Sequence, residues 1–178
     1  MPKPSPNLVV VLCEDAAHKL FIERWLKCRG VSNRRIRTVA LPAGKGAGEK
    51  FVRDRYPVEV LAYRQSRFTS RQLIVAIDAD TQSVDYRLEQ LAQSLKDRGM
   101  EDRQPSERIC ILVPKRNIET WVRVLIGDAV TEEVDCGKQE PEDTRRAADV
   151  YQAWLDGAKE AIPSLTRSRT EVRRLDGD

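Results

Sequence analysis

The sequence predicts an α/β fold with a mainly parallel, four-stranded sheet flanked by helices. Four apolar runs rich in β-branched residues are bounded by polar segments, a pattern typical of interior strands. The segments between these runs carry apolar residues at helical spacing. Strands that alternate with helices favour a parallel sheet covered on both faces. The four runs are 8–13, Ile36 to Leu41, 72–77 and Ile109 to Val113.

The first three connections each contain a predicted helix. The first has an apolar face and a glycine stop at Gly30, and the third has a second apolar face and ends near Gly99. In the second connection, a glycine-rich loop leads into a helix from about Glu49 that we expect to break near Pro57. The two apolar faces consist of Leu20, Phe21, Trp25 and Leu26 in the first connection and Val84, Leu88, Leu91 and Leu95 in the third.

After the fourth strand, Pro114 interrupts the strand pattern and a short helix ends at Gly127. The acidic segment 131–143 reads as a loop, and two further helices follow, one at about 147–161 and one after Pro163. These C-terminal helices are too short to form a core of their own, so they are expected to pack on the sheet. We therefore predict a single domain over 1–178, with a core at about 7–125 and a helical extension at 126–178.

The composition is that of an ordinary globular protein. The chain has 178 residues, of which 40% are hydrophobic and 33% charged, and its net charge is +3. No apolar run approaches the roughly 20 residues of a membrane span, and the N-terminus lacks the apolar stretch of a signal peptide. We therefore expect a cytoplasmic protein with no membrane partner. The four cysteines lack metal-site spacing, and the arginine clusters are read equally well as solvated faces or as contacts to a phosphate backbone.

Acidic side chains follow two of the predicted strands. Asp78 and Asp80 come directly after the third strand, and Glu14 and Asp15 follow the first. The carboxyl ends of strands in an open α/β sheet meet at one edge, where ligands bind. Like charges this close need a cation or several donors to stay ionised, so the pattern predicts a divalent metal site.

These motifs resemble the Toprim (topoisomerase–primase) domain, in which a glutamate follows the first strand and a DxD motif follows a later one. The resemblance covers about residues 7–125. The segment 113–121, VPKRNIETW, is similar to the one after the last sheet strand in Toprim nucleases of the OLD (overcoming lysogenization defect) group and their small stand-alone relatives. By this resemblance, Glu14, Asp78, Asp80 and Glu119 are the acidic catalytic and metal-binding set, and the cofactor is Mg²⁺ or Mn²⁺.

The chain departs from the OLD pattern in two places. The glycine that usually follows the first glutamate is absent, and the position four residues after that glutamate, usually a second acid, is His18. This histidine is the only one in the chain, and it is read either as a ligand of a softer metal, as a proton shuttle or as a structural residue. Asp15 is an alternative source of the missing carboxylate.

The resemblance implies hydrolysis of phosphodiester bonds, in DNA or in RNA, with DNA favoured. Lys115 is a candidate for offsetting transition-state charge, and Arg116 for this role or for nucleic-acid contact. The glycine-rich loop, with Lys45 and Lys50, is read as a backbone contact or lid, or as a plain flexible connection. The loop lacks Walker A spacing, so nucleotide hydrolysis by this chain is not expected.

Two other readings remain open. A non-catalytic Toprim-like scaffold or regulatory subunit would keep the acids and bind nucleic acid or a partner ATPase without cutting. A haloacid-dehalogenase-type phosphatase also has a strand followed by DxD, but Gln82 stands where that family has threonine or valine, and Thr81 comes one residue early. The resemblance also implies a role in an antiphage or mobile-element system beside a separate ABC-type ATPase. The oligomeric state stays open, a homodimer included.

Overall fold

The fold is α/β, as predicted, with an all-parallel sheet of four strands. The computed structural model describes residues 6–66 and 70–177, so most of the proline-rich N-terminus lies outside the described residues. The strands are ordered β2-β1-β3-β4, and each pairs with its neighbours in parallel. Their bounds are Leu8–Cys13 (β1), Ile36–Ala40 (β2), Arg71–Ala76 (β3) and Ile109–Leu112 (β4).

Six α-helices flank the sheet in the described part of the chain. Helices α1, α2 and α3 connect successive strands, and α4, α5 and α6 follow β4. A short 3₁₀ helix at Asn33–Arg35 precedes β2. The bounds of the α-helices are Ala16–Cys28 (α1), Gly48–Arg64 (α2), Val84–Lys96 (α3), Ile118–Leu125 (α4), Pro141–Asp156 (α5) and Pro163–Asp176 (α6).

Two hydrophobic cores cover the two faces of the sheet. Alternate side chains of the central strands point to opposite faces, so Val9 and Val11 of β1 enter one core and Val10 and Leu12 enter the other. The first core contains α1 and the C-terminal helices α4, α5 and α6. The second contains α2 and α3. The C-terminal helices thus share a core with the sheet.

An aromatic cluster joins α5 to the first core. Tyr151 is fully buried, and its ring centroid lies 5.2 Å from that of Phe21 and 5.3 Å from that of Trp25. Trp121 and Trp154 complete the cluster, with ring centroids 6.3 and 6.2 Å from Tyr151. Such aromatic pairs add to the stability that burial provides, so α5 is held firmly against α1 and α4.

The structure corrects two of the predicted helices. The helix after the glycine-rich loop does not break near Pro57, because α2 runs from Gly48 to Arg64 with this proline inside it. The helix predicted at 147–161 is α5, which begins at Pro141 and ends at Asp156. The segment 131–143, predicted to be a loop, therefore contains the first residues of α5.

The strand order creates one point where the helices diverge. Helix α1 leaves β1 on one face of the sheet, and α3 leaves β3 on the other. Because β1 and β3 are neighbours, a crevice opens at their carboxyl ends, the usual ligand site of such sheets. No helix in the described residues is long and apolar enough to cross a membrane.

Candidate active site

Glu14 and Asp78 meet at the crevice between β1 and β3. The strands end in register, with Cys13 beside Ala76, so the residues that follow them lie close together. The backbone N–H of Asp78 donates a hydrogen bond of 2.7 Å to Oε1 of Glu14. Burial, and then the charge of Asp78, raises the pKa of Glu14 to about 8. The crevice therefore holds carboxyl groups that would be ionised more easily beside a cation.

His18 lies between two carboxylates. Its Nδ1 is 3.0 Å from Oδ1 of Asp15, and its Nε2 is 3.0 Å from Oδ1 of Asp78. A neutral imidazole has only one N–H, so the protonated ring matches two carboxylate oxygens best. Burial opposes the charge, but Asp78 and Asp15 outweigh it and raise the pKa of His18 well above its usual value. His18 is fully buried and orients Asp78.

Asp15 also caps the N-terminus of α1. Its Oδ1 accepts hydrogen bonds from the backbone N–H groups of Ala17 and His18, at 2.9 and 3.1 Å, and so caps the helix. Burial alone would raise the pKa of Asp15, but the hydrogen bonds and charge of His18 lower it to about 2. Asp15 is therefore ionised at neutral pH and committed to the helix end and to His18.

The segment that carries Asp78 and Asp80 is fastened to the start of the next connection. The N–H of Ala79 donates to the carbonyl of Pro114 at 2.9 Å, and that of Asp80 donates to the carbonyl of Arg116 at 3.1 Å. Asp80 has a positive φ of 54°, a left-handed conformation that aspartate tolerates better than most residues. Its side chain is 57% exposed, so this carboxylate is accessible at the rim of the crevice.

Glu119 lies in the first turn of α4, which faces the same crevice. Asn117 caps this helix by accepting a hydrogen bond of 3.2 Å from the backbone N–H of Thr120. Burial, and further the charges of Asp78 and Asp15, raises the pKa of Glu119. Glu14 contacts the backbone of Asp78. Besides burial, the charge of Asp80 raises the pKa of both Glu14 and Asp78. The charge of Asp78 raises the pKa of Glu119, so the four carboxyl groups of the predicted set, the acidic cluster, lie near the same end of the sheet.

Sequence reasoning missed Arg87, which supports the crevice from α3. This arginine is 4% exposed, and its Nη1 lies 3.0 Å from Oε2 of Glu49 in α2. Its Nη2 donates to the carbonyl of Ala79 at 3.4 Å and lies 3.9 Å from Oδ2 of Asp80. The available signal was position, because residue 87 comes three after Val84 on the inward side of an amphipathic helix.

A close backbone contact at Gly48 was also missed. Gly48 begins α2, and a Cβ built there would lie 2.8 Å from Cβ of Glu14. Only glycine leaves room for the glutamate at this point. The residue thus packs the end of the glycine-rich loop directly against Glu14. The expectation that this loop contacts a phosphate stays a prediction.

The basic residues predicted to contact substrate differ in solvent exposure, and most of them pair with an acid. Lys115 is only 20% exposed, and its Nζ is 3.7 Å from Oε2 of Glu133. Arg116 pairs with Asp135 at 3.3 Å. In the glycine-rich region, Lys50 pairs with Asp54 of the same helix, and Lys45 is exposed in the loop. Many other arginines pair with nearby acids, among them Arg37, Arg53, Arg55 and Arg64. The partner of Arg37 and Arg55 is the buried Glu59, so not all of these pairs are solvated.

The donor chemistry of the cluster suits a divalent cation. Carboxylate oxygens are the ligands that Mg²⁺ and Mn²⁺ prefer. Burial first, and then the charge of Asp78, raises the pKa of Glu14 and of Glu119, and a cation would lower both because it favours the ionised carboxylates. Within residues 6–66 and 70–177, however, no three His, Cys, Asp or Glu side chains are already arranged to hold a metal ion. The carboxylates therefore form a cluster and not a completed coordination shell.

Comparison of the chain with protein-family models, with curated proteins and with solved structures found no significant match. The resemblance to Toprim domains consequently rests on the acidic motifs and their positions alone.

Proposed function

We propose that this protein is a metal-dependent, Toprim-like nuclease that hydrolyses phosphodiester bonds in nucleic acid. The observation that supports this most directly is the contact between Glu14 and Asp78, with Oε1 of Glu14 accepting from the N–H of Asp78 at 2.7 Å. It brings acids from two separate strands to the ligand-binding edge of the sheet. Glu119 and Asp80 add two carboxylates to the same crevice, which matches the donors of a phosphoryl-transfer site.

Glu14, Asp78, Asp80 and Glu119 would hold Mg²⁺ or Mn²⁺. A divalent cation held by these residues would supply Lewis-acid chemistry, which polarises a phosphoryl oxygen and makes a water more acidic. His18 orients Asp78 through the contact of its Nε2 with Oδ1 of Asp78, and Arg87 holds the backbone by donating to the carbonyl of Ala79. Lys115 follows Pro114, whose carbonyl accepts from the N–H of Ala79, and in this proposal it offsets charge on the phosphate.

The test is cleavage of supercoiled, linear and single-stranded DNA, and of RNA, with each metal. Asp78→Asn and Asp80→Asn each remove one carboxylate charge, and Asp156→Asn is the matched control on the exposed end of α5. A metal ligand supplies several kcal/mol to such a transition state, so we expect each of the two site variants to cleave at least about a hundredfold more slowly.

Unfolding curves of all four proteins separate chemistry from folding. Asp80 is exposed, so Asp80→Asn should unfold at nearly the same denaturant concentration as the unmodified protein. Cleavage by Asp78→Asn and Asp80→Asn at the unmodified rate would refute the proposed site. The partner ATPase, the antiphage role and the preference for DNA rest on the resemblance. Pull-down assays test the partner, genetic assays test the antiphage role, and the comparison of DNA with RNA cleavage tests the preference.

A second candidate is a non-catalytic scaffold that binds nucleic acid or a partner ATPase. The observation that favours it is that both ring nitrogens of His18 contact carboxylates, so Asp78 already has a cationic partner in place of a metal. A scaffold would bind nucleic acid equally well with EDTA and with Mg²⁺, and it would cleave none of the substrates above. A nuclease would show metal-dependent cleavage that Asp80→Asn removes.

A further inference from the structure

A cleft of about 450 Å³ opens beside the acidic cluster. Asp15 and Glu119 form its wall toward the crevice, and the beginning of α5 forms the opposite wall. Its volume is in the range of small-molecule sites, which is about 300–1,000 Å³. A ligand seated in this cleft would therefore lie next to the carboxylates that the proposed function uses.

The interior of the cleft is mainly aliphatic. Ala16, Ala17 and Leu20 of α1 face Leu41 at the end of the β2 segment and Pro141 of α5. Leu20 and Leu41 are only partly buried in the described structure, so they present apolar surface that a ligand can cover. Flat, apolar faces of a nucleobase gain free energy from such a lining.

Polar groups stand at one end of the same cleft. The amide nitrogen of Gln139 donates to the carbonyls of Cys136 and Gly137, at 2.9 and 3.1 Å. These bonds fix the amide group of the side chain, whose carbonyl oxygen can accept from a base N–H. Lys138 adds an exposed ammonium group that complements a phosphate. The aliphatic lining suits the faces of a base, the amide oxygen of Gln139 suits a base N–H, and the ammonium group of Lys138 suits a phosphate.

We propose that this cleft holds one nucleoside of the substrate, with its phosphodiester directed toward Glu14 and Asp78. This inference rests on the proposed function and names its substrate class. A base stacked inside a duplex cannot enter such a cleft, because it has to leave its neighbours first. The substrate is therefore a single-stranded nucleic acid, or a strand from which one nucleotide has been turned out.

The first experiment measures binding without cleavage. The four deoxynucleoside 5′-monophosphates and their ribose equivalents are titrated into the full chain in EDTA and followed by NMR. We expect shifts at residues 16, 17, 139 and 144. Ala16→Leu narrows the cleft at an exposed helix position, and Gln139→Ala removes the acceptor, so each should weaken binding about fivefold or more. Ala153→Leu makes the same alanine change in a different cleft and should leave binding unaltered.

The second experiment measures cleavage of DNA and RNA oligonucleotides that carry one abasic site, moved along the strand. We expect kcat/KM to fall about fivefold or more at a single position beside the cut, and duplexes to be cut more slowly than single strands. Equal effects at every position, with cleavage intact, would overturn the nucleoside site and leave the nuclease standing. Nucleotide binding at residues 16 and 139 without cleavage of any substrate would overturn the proposed nuclease activity and leave the nucleoside site standing.

Discussion

Gly48→Ala tests the close contact between the glycine-rich loop and Glu14. The added Cβ would lie 2.8 Å from Cβ of Glu14, 3.1 Å from its Oε2 and 3.2 Å from its carbonyl oxygen. All three distances are shorter than the 3.4 Å at which ordinary contact begins. Glu14 or the start of α2 has to move, and overpacking of this kind costs about 1–3 kcal/mol.

Part of this cost is offset. Gly48 has no positive φ, so alanine fits the backbone, and replacing a helical glycine gains about 0.5–1 kcal/mol. We therefore expect the free energy of unfolding to fall by about 1 kcal/mol, within a range of about 0–2.5 kcal/mol. Displacement of Glu14 should also lengthen its hydrogen bond to the N–H of Asp78, now 2.7 Å, and reduce any metal-dependent cleavage.

The assay is urea unfolding followed by tryptophan fluorescence, because Trp25 and Trp121 are fully buried. Gly157→Ala is the matched control. It also lacks a positive φ, and its Cβ would make ordinary contacts of 3.4 and 3.5 Å with the carbonyls of Ala153 and Trp154. We expect this variant to be neutral or stabilised by up to about 1 kcal/mol. Equal stability of Gly48→Ala and Gly157→Ala would refute the reasoning.

Three further outcomes are expected. Glu171→Gln leaves the half-buried guanidinium of Arg103 without a carboxylate partner and should lower the free energy of unfolding by about 2 kcal/mol in urea. Burial opposes ionisation of Glu171, but Arg103 lowers its pKa below 4.5, so its stabilisation is present above that pH and lost as pH falls through the lowered pKa. The gap between the two proteins should close on acidification, and a constant gap would contradict this. Arg87→Lys should speed hydrogen exchange at 78–82, because lysine cannot reach Glu49 and Ala79 together, and unchanged exchange would argue against this support. If the basic residues contact a phosphate backbone, binding of single-stranded DNA should weaken steeply with salt, whereas salt-insensitive binding would indicate a protein partner.

The strands were predictable because the sheet is buried on both faces. A continuous run of β-branched residues has few alternatives to an interior strand, and each strand ends within one residue of its prediction. Pro57 was misjudged because a proline costs a helix about 3 kcal/mol. Burial of Val52, Tyr56 and Val60 on the same helix gains about 1.5–3 kcal/mol for each large side chain. Tertiary packing therefore outweighs the local penalty.

The sequence at the start of α5 contains a signal for the beginning of a helix, but its acidic residues also fit a solvated loop. Pro141 is the first residue of the helix, a favoured position for proline, and Glu142 and Asp143 in its first turn suit the positive end of the helix dipole. The same acids made the segment resemble a solvated loop. A charge pattern alone does not distinguish these two cases, whereas the packing of Tyr151 against Phe21 and Trp25 does.

The candidate site was predictable only in outline. Parallel strands deliver their carboxyl ends to one edge, so the meeting of Glu14 and Asp78 follows from topology. The place of His18 does not, because it depends on the rotamer that brings both ring nitrogens to carboxylates across two elements. The spacing within α3 indicates that Arg87 faces inward, but its contacts to Glu49 and Ala79 depend on the packing of α2 against α3, which one helix does not reveal.

The two edge strands of the sheet, β2 and β4, differ in how accessible their backbone groups are to a second molecule. Along β4, Arg103 donates to the carbonyl of Ile109 at 2.8 Å, Arg167 donates to that of Ile111 at 3.0 Å, and Glu171 accepts from the N–H of Ile111 at 2.8 Å. These side chains occupy the backbone groups that another strand would need. Growth of the sheet by a second molecule is blocked on that side and has to begin beside β2.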